Sequence, residues 1–147
     1  MDDRRLRVVL ADDSALVRGG IARLLEDAGM NVVAQAADGD TLLEHVAATR
    51  PDIAVVDIRM PPSGSDEGLR AAKRIRRLFP ETGVLLLSQA LEVPYARELL
   101  ETGEEKVGYL LKDRIAAVEE FSDALERVAA GEVVLDAQIE SKVYATA

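Results

Sequence analysis

The sequence predicts an α/β protein in which a parallel β-sheet is covered by helices on both faces. Apolar runs of four to six residues alternate five times with longer segments of helical period. Alternation of this kind implies right-handed crossovers and parallel strands. Three of the runs are apolar almost throughout, which is typical of strands buried on both faces. A chain of 147 residues, 48% of them hydrophobic, has the size of one such domain.

The predicted elements alternate along the chain. Strands are predicted over residues 7–11, 32–36, 52–56, 84–88 and 108–111. Helices are predicted over residues 14–28, 41–49, 66–79, 94–101 and 115–130, where apolar residues recur at helical spacing. Glycine follows several of these helices and proline precedes two of the strands, as expected at element ends. Five such units most often close as a doubly wound, flavodoxin-like (βα)5 sheet with strand order 2-1-3-4-5.

The alternation predicts a single domain over residues 5–131. Residues 132–147 fit no sixth strand-helix unit. We expect them to form a short C-terminal extension, or the start of a linker to a further domain that this sequence does not contain.

Composition excludes several classes of protein. The chain has no cysteine, so neither disulfides nor a thiolate metal site can form. No apolar stretch approaches the roughly 20 residues of a membrane span, and the first residues lack a signal-peptide core, so a cytoplasmic location without membrane contact is expected. A net charge of -9 argues against nonspecific nucleic-acid binding. The one strongly basic segment, residues 69–78, is interpreted as a solvated helix face.

Chemically useful side chains stand at the ends of four predicted strands. Asp12 and Asp13 follow the first strand, Asp57 the third, Ser88 ends the fourth, and Lys112 follows the fifth. Because the carboxyl ends of parallel strands share one edge of the sheet, these side chains are expected to meet there. Three acids, one hydroxyl and one amine together suit a divalent cation and a phosphoryl group.

Asp57 is the predicted nucleophile, because a carboxylate can attack phosphorus to give an acyl phosphate. A hard divalent cation, Mg²⁺ or Mn²⁺, would relieve the repulsion among the three acids. We expect Asp13 and Asp57 as direct ligands, Asp12 as a ligand through water, and the backbone carbonyl of Arg59 as a further oxygen.

Lys112 and Ser88 would complete this site. The Lys112 ammonium is expected to act as a point charge on one phosphoryl oxygen, and the Ser88 hydroxyl as a donor to another. Since phosphoryl transfer is mostly positioning and charge neutralisation, these groups are sufficient in principle.

Four short motifs resemble the receiver domain of two-component response regulators. They are LADDS at residues 10–14 with Arg18, DIRMPP at 57–62, LLS at 86–88 and GYLLKD at 108–113. The resemblance covers roughly residues 6–130. The DIRMPP and GYLLKD motifs look like the NarL/FixJ class, whose members usually carry a LuxR-type helix-turn-helix after the receiver.

The resemblance implies a role for each matching residue. Asp57 would accept the phosphoryl group, Asp12 and Asp13 would form the acidic pocket with Mg²⁺, and Lys112 would be the amine of the site. Ser88 would be the switch hydroxyl and Tyr109 the switch aromatic, which turns inward when the hydroxyl moves to the phosphoryl group. Such a domain is no enzyme beyond catalysing its own phosphorylation and dephosphorylation.

The motifs also depart from the family pattern. Asp113 follows Lys112 where many receivers have proline, and Gln89 follows Ser88 where many have alanine or glycine. Gln89 and Arg59 are expected to crowd the water that attacks the phosphorylated side chain. We therefore predict slow autodephosphorylation.

The resemblance also implies partners. A sensor histidine kinase or a small phosphodonor would supply the phosphoryl group, and phosphorylation would favour a homodimer. DNA would be contacted only through an absent C-terminal domain, so the chain is either part of a longer regulator or a natural single-domain receiver.

Three other functions are compatible with parts of this sequence. A Mg²⁺-dependent aspartyl phosphatase usually has a second Asp two residues after the nucleophile, where this chain has Arg59. A nucleotide- or flavin-binding module is disfavoured because neither GxGxxG nor GxxxxGK occurs and tryptophan is absent. A receiver-like interaction module that is not regulated by phosphorylation stays as the alternative.

Overall fold

In a computed structural model of the chain, residues 5–144 are described. The strands are β1 (Arg7–Ala11), β2 (Asn31–Ala36), β3 (Ile53–Asp57), β4 (Gly83–Ser88), β5 (Val107–Leu111) and β6 (Val133–Leu135). The helices are α1 (Ala15–Asp27), α2 (Gly39–Thr49), α3 (Glu67–Leu78), α4 (Val93–Leu100), α5 (Val118–Ala129) and α6 (Glu140–Val143). A 3₁₀ helix spans Lys112–Ala116, between β5 and α5.

All the strands run parallel in one sheet with the order β2-β1-β3-β4-β5-β6. The predicted fold class and the order of the first five strands are therefore confirmed. Every predicted strand and helix is present, with bounds that differ by at most two residues except at the start of the last long helix. There, residues 112–116 form the separate 3₁₀ helix, and α5 begins only at Val118.

The sheet has a sixth strand that the sequence did not predict. β6 pairs with β5 from Val107↔Val133 to Tyr109↔Leu135, and α6 follows it. The expectation that residues beyond 131 form no further strand-helix unit is therefore wrong for residues 132–144. Both elements are too short, at three and four residues, to show the periodicity on which the prediction relied.

Helices cover both faces of the sheet, as expected for a doubly wound fold. One buried cluster joins the sheet to α2, α3, α4 and α6, and includes Leu42, Ile75, Leu99 and Val143. The other joins the opposite face to α1 and α5, through side chains such as Leu25 and Phe121. β3 and β4 are buried at every residue. Close packing in the middle of the sheet therefore fixes the position of the residues at the carboxyl ends of these strands.

The start of α1 is fixed next to the end of β1. Ser14 is the N-cap, and its hydroxyl accepts a hydrogen bond of 3.2 Å from the backbone N–H of Val17. The two residues between Ala11 and Ser14 are Asp12 and Asp13, so capping holds the acidic pair in a short turn. Within residues 5–144, no helix is long and apolar enough to cross a membrane.

Candidate functional site

Strand register brings the predicted site residues to one edge of the sheet. Asp57 pairs with Leu87 across β3 and β4, and Ser88 pairs with Leu111 across β4 and β5. Lys112 is the next residue after Leu111. The hydroxyl, the amine and the central carboxylate are therefore supplied by adjacent strand ends, as the sequence predicted.

Asp12, Asp13 and Asp57 form a compact acidic cluster at this edge. A carboxylate oxygen from each lies within 4.8 Å of the others. Asp12 and Asp57 are buried and Asp13 is exposed. Asp12 is held from both sides: its Oδ1 accepts from the backbone N–H of Ser14 at 2.8 Å, and its backbone carbonyl accepts from Arg18 Nη1 at 2.6 Å.

Lys112 reaches into the acidic cluster. Its Nζ lies 2.7 Å from Oδ2 of Asp12 and 3.3 Å from Oδ2 of Asp57. Burial acts to lower the pKa of Lys112, but the hydrogen bond to Asp12 and the charge of Asp57 outweigh it, so the pKa is raised. The amine is therefore a permanent positive charge between the two buried carboxylates.

Burial raises the pKa of the Asp57 carboxyl, and the nearby charge of Asp12 acts in the same direction. The ammonium of Lys112 opposes this, as does the backbone N–H of Arg59. The carboxylate is thus poorly solvated and incompletely neutralised, so an added positive charge would stabilise its ionised form.

The acidic cluster has the chemistry of a site for a hard divalent cation. Three carboxylates face one ammonium, which leaves a net charge of about −2 when all are ionised. Carboxylate and water oxygens are the ligands that Mg²⁺ prefers in proteins. The residues present therefore fit a divalent cation of this kind.

Ser88 ends β4 at the same edge of the sheet as the cluster, and Tyr109 lies on the neighbouring strand β5, opposite Leu86. The Ser88 hydroxyl donates to the backbone carbonyl of Ala90 at 2.5 Å. The ring of Tyr109 is fully buried, and its hydroxyl oxygen accepts from the backbone N–H of Glu92 at 3.1 Å. Burial raises the pKa of this phenol. The switch aromatic that the resemblance implies is thus inside the protein in this structure.

Arg59 and Gln89 both have exposed side chains near the site. The Nη2 atom of Arg59 lies 3.8 Å from Oε2 of Glu92, in an ion pair that water screens. The Lys112–Asp113 peptide bond is trans, since among residues 5–144 only the Pro61–Pro62 bond is cis.

Two residues near the site were not identified from the sequence. Glu92 contacts both Tyr109 and Arg59, and no sequence pattern marks a residue that acts through its backbone N–H. Gly68 lies in the first turn of α3, and a Cβ atom there would sit 2.0 Å from the backbone oxygen of Asp57. Its place in a helical segment did not single it out, because Gly19 and Gly20 lie within α1 with no heavy atom within 4 Å of an added Cβ.

Comparison with known proteins assigns the family. The sequence profile of the response regulator receiver domain matches residues 8–123. The chain therefore belongs to the response regulator receiver domain family, and the resemblance drawn from the four motifs is confirmed.

Its relatives place the chain in the NarL/FixJ class of receivers. It is 36% identical over 135 residues to the oxygen regulatory protein NreC of Staphylococcus epidermidis, a match that covers 91% of this chain and 59% of NreC. It is 38% identical to the signal receiver domain of NarL from Mycobacterium tuberculosis, covering 83% of this chain and 97% of that one with a TM-score of 0.69. A LuxR-family two-component response regulator from Aurantimonas is 28% identical, covers 95% of each chain and has a TM-score of 0.80.

Proposed function

We propose that this receiver takes a phosphoryl group onto Asp57 and responds with a change of conformation. The observation that carries the proposal is the position of Lys112, whose ammonium lies between the carboxylates of Asp12 and Asp57 at the edge of the sheet. An amine beside a buried, incompletely neutralised carboxylate is what transfer of a negatively charged group requires.

In the proposed reaction, a carboxylate oxygen of Asp57 attacks phosphorus and forms a new O–P bond. The bond from phosphorus to the donor breaks, and its electron pair leaves with the donor: as acetate when the donor is acetyl phosphate, or, when it is a phosphohistidine, as an imidazole that takes up a proton from solvent. Lys112 would leave Asp57 and neutralise a phosphoryl oxygen, while remaining close to Asp12.

A divalent cation is proposed as the cofactor, held by Asp13 and Asp57 directly, by Asp12 through water, and by the backbone carbonyl of Arg59. When bound, Mg²⁺ or Mn²⁺ would neutralise charge on the transferred group and hold it in line with the carboxylate. The chain's own contribution includes the fixed position of Asp12, which Ser14 and Arg18 hold in place.

The proposed response begins at Ser88. Its hydroxyl would exchange the carbonyl of Ala90 for a phosphoryl oxygen, which would stabilise the inward ring of Tyr109 and remodel the face formed by residues 94–130. Moving an equilibrium from 1:99 to 99:1 requires about 5.5 kcal/mol of differential interaction. Charge-assisted hydrogen bonds from Ser88 and Lys112 would be the main source of that energy.

The wider role follows from the relatives and is likewise a proposal. The chain spans 59% of the length of the NreC protein it matches. We propose that a sensor histidine kinase is the donor and that phosphorylation favours a homodimer. Transcription would be controlled through a LuxR-type DNA-binding domain in a longer protein. This receiver would catalyse only its own phosphorylation and dephosphorylation.

The proposal is tested by ¹⁵N NMR of the chain with Mg²⁺ and beryllofluoride, which mimics a phosphoryl group on a carboxylate. We expect large shifts at Asp57, Ser88 and Lys112 that require both additions, followed by changes in α4 and β5. Shifts from Mg²⁺ alone, with no further response to beryllofluoride, would favour an interaction module that phosphorylation does not regulate. An Asp13→Asn variant should weaken the response to Mg²⁺.

A further inference from the structure

The segment after α5 carries a buried acid that lies outside the part of the chain matched by the family profile. That match ends at residue 123, whereas Asp136 follows β6. The Asp136 side chain is fully buried. Its carboxylate accepts four hydrogen bonds, which come from the Leu111 N–H at 3.0 Å, the Gln138 N–H at 3.0 Å, and Nε and Nη2 of Arg114 at 2.9 Å each.

Two of these donor residues bracket the amine of the site. Leu111 is the residue before Lys112, and Arg114 lies two residues after it, inside the 3₁₀ helix. The Arg114 guanidinium binds both oxygens of Asp136, which is the strongest common arrangement of such a pair. Asp136 thus fixes the backbone on the two sides of Lys112 from a single point.

Asp136 is itself firmly anchored, so it can act as a support. Its backbone N–H donates to the Tyr109 carbonyl at 2.8 Å, which extends the pairing of β5 with β6. Ile139 and Val143 are buried in the same hydrophobic cluster as Tyr109. On the far side, Arg97 of α4 donates to the backbone carbonyl of Val143 at 3.4 Å. The segment is therefore held by the sheet, the core and α4.

The charge of Asp136 is also secure. Hydrogen bonds from Arg114 lower its pKa to about 2, against the opposing effect of burial. The carboxylate is ionised throughout the neutral range, so the connection to Arg114 does not depend on pH there.

We propose that Asp136 is a positioning residue for Lys112: by holding Leu111 and Arg114, it places the Lys112 amine between Asp12 and Asp57. The segment from Gly131 to Val143 is then a working part of the receiver rather than an extension. This inference rests on the proposed phosphoryl transfer for its rate readout, but the placement of Lys112 can be measured independently of it.

The test compares Asp136→Asn with wild type in the full chain. The amide cannot accept all the bonds that the carboxylate accepts, so the Leu111–Arg114 stretch should loosen. Glu132→Gln is the matched control, since it removes one carboxylate from the same segment, where Glu132 is exposed and pairs with Arg127. Three quantities are measured: the phosphorylation rate with acetyl phosphate at saturating Mg²⁺, the Mg²⁺ affinity, and the ¹³Cε signal of Lys112.

We expect the rate in Asp136→Asn to fall by about 10- to 100-fold, the usual cost of losing a group that orients a functional side chain. Mg²⁺ affinity should stay equal or become tighter, because a displaced amine no longer competes for Asp12 and Asp57. The Lys112 signal should move toward that of a solvent-exposed lysine. Glu132→Gln should match wild type in all three quantities.

Two results would overturn the proposal. One is an Asp136→Asn protein with wild-type rate and an unmoved Lys112 signal. The other is a parallel loss of rate, Mg²⁺ affinity and melting temperature, which would assign Asp136 a general structural role. If Asp136→Asn does not fold, Arg114→Met supplies the same comparison. It leaves the buried carboxylate bonded to Leu111 but removes the two hydrogen bonds from the Arg114 guanidinium to Asp136. Absence of a phosphoryl adduct on wild type would refute the proposed function, while the Lys112 signal would still decide the positioning role.

Discussion

The ammonium nitrogen of Lys112 lies 2.7 Å from Oδ2 of Asp12, closer than its distance of 3.3 Å from Asp57. Lys112 is therefore paired first with a carboxylate that is not the proposed phosphoryl acceptor. This arrangement lets the amine shift from Asp57 to a phosphoryl oxygen without leaving Asp12. It also makes the amine a competitor of any cation that binds the same acids.

Replacing Lys112 by Met should separate cation binding from phosphoryl transfer. We expect Mg²⁺ to bind more tightly, because one positive charge among three carboxylates is lost. The rate of phosphorylation should fall by about 10²- to 10³-fold, as when one charge-stabilising donor is removed from an active site. Calorimetric Mg²⁺ titration and intact-mass time courses with acetyl phosphate measure the two effects.

Lys73→Met is the control for that experiment, since Lys73 pairs with Glu98 on the α3–α4 surface. It should leave both quantities at wild-type values. Weaker Mg²⁺ binding in Lys112→Met, or an unchanged rate, would contradict the role given to the amine.

Asp57 should destabilise the metal-free protein at neutral pH. Its pKa is raised by burial above 3.8, the value expected in the unfolded chain. At a pH between the pKa of Asp57 in the unfolded chain and its higher pKa in the folded protein, the folded state binds more protons than the unfolded state. The contribution of Asp57 to the free energy of unfolding therefore falls as pH rises through this interval. Asp57→Asn should therefore gain about 1 kcal/mol over wild type at pH 7, and the gain should shrink as pH falls toward 3.8 and change little below that value.

Urea unfolding in a chelator, at a series of pH values, checks this expectation. Asp123→Asn is a suitable control because that side chain is exposed on α5. A destabilised Asp57→Asn protein at pH 7, or a gain that does not vary with pH, would show that the burial of Asp57 has no such cost.

Gly68→Ala should damage the site through the backbone. A Cβ atom at this position would lie 2.0 Å from the backbone oxygen of Asp57, a clash that no rotamer can relieve. We expect a loss of about 1–3 kcal/mol or more in the free energy of unfolding. Gly20→Ala in α1 has no heavy atom within 4 Å of the added carbon and should instead stabilise by up to about 1 kcal/mol. Equal effects of the two substitutions in urea unfolding would contradict the close approach of α3 to β3.

Tyr109→Phe should loosen the start of α4 while keeping the ring buried. The substitution removes the hydroxyl that accepts the Glu92 N–H, at a cost of about 1 kcal/mol. Hydrogen exchange of the Glu92 amide should accelerate, whereas Tyr144→Phe, at an exposed position, should leave it unchanged. A Glu92 amide equally protected in Tyr109→Phe would mean that the phenol does not hold this loop.

Gln89→Ala should shorten the lifetime of the phosphorylated protein, if the long exposed side chain hinders the attacking water. We expect a several-fold faster loss of the phosphoryl group, equivalent to about 1 kcal/mol in activation free energy. The decay is followed by intact mass after removal of the donor, with Gln35→Ala on the exposed part of β2 as control. An unchanged lifetime would remove Gln89 from the residues that set the rate.

Sequence alone predicted the parts of the fold whose signal is long and periodic. Buried runs such as residues 84–87 are apolar throughout, so strands β1 to β5 and the edge that carries Asp57 and Lys112 could be deduced from strand ends. β6 was missed because a three-residue strand followed by a four-residue helix carries no period. The sequences of β6 and α6 taken alone cannot be distinguished from that of a linker.

The residues that hold the site in place were harder to predict than the residues that carry its reactive groups. Asp136 becomes important only because β6 pairs with β5, which brings it to the Leu111 N–H from a position 25 residues away in the chain. Glu92 acts through a backbone N–H, which every residue except proline possesses. Contacts of this kind depend on tertiary packing, and no spacing in the sequence marks them.

The proposed function depends on the claim that Asp57 accepts a phosphoryl group. Intact mass is measured after incubation with acetyl phosphate and Mg²⁺, beside the same reaction with chelator and beside Asp57→Ala. If Asp57 is the acceptor, the wild-type protein gains one phosphoryl group only with Mg²⁺, and Asp57→Ala gains none. An adduct that survives in Asp57→Ala, or no adduct on the wild-type protein with Mg²⁺ present, would contradict the claim.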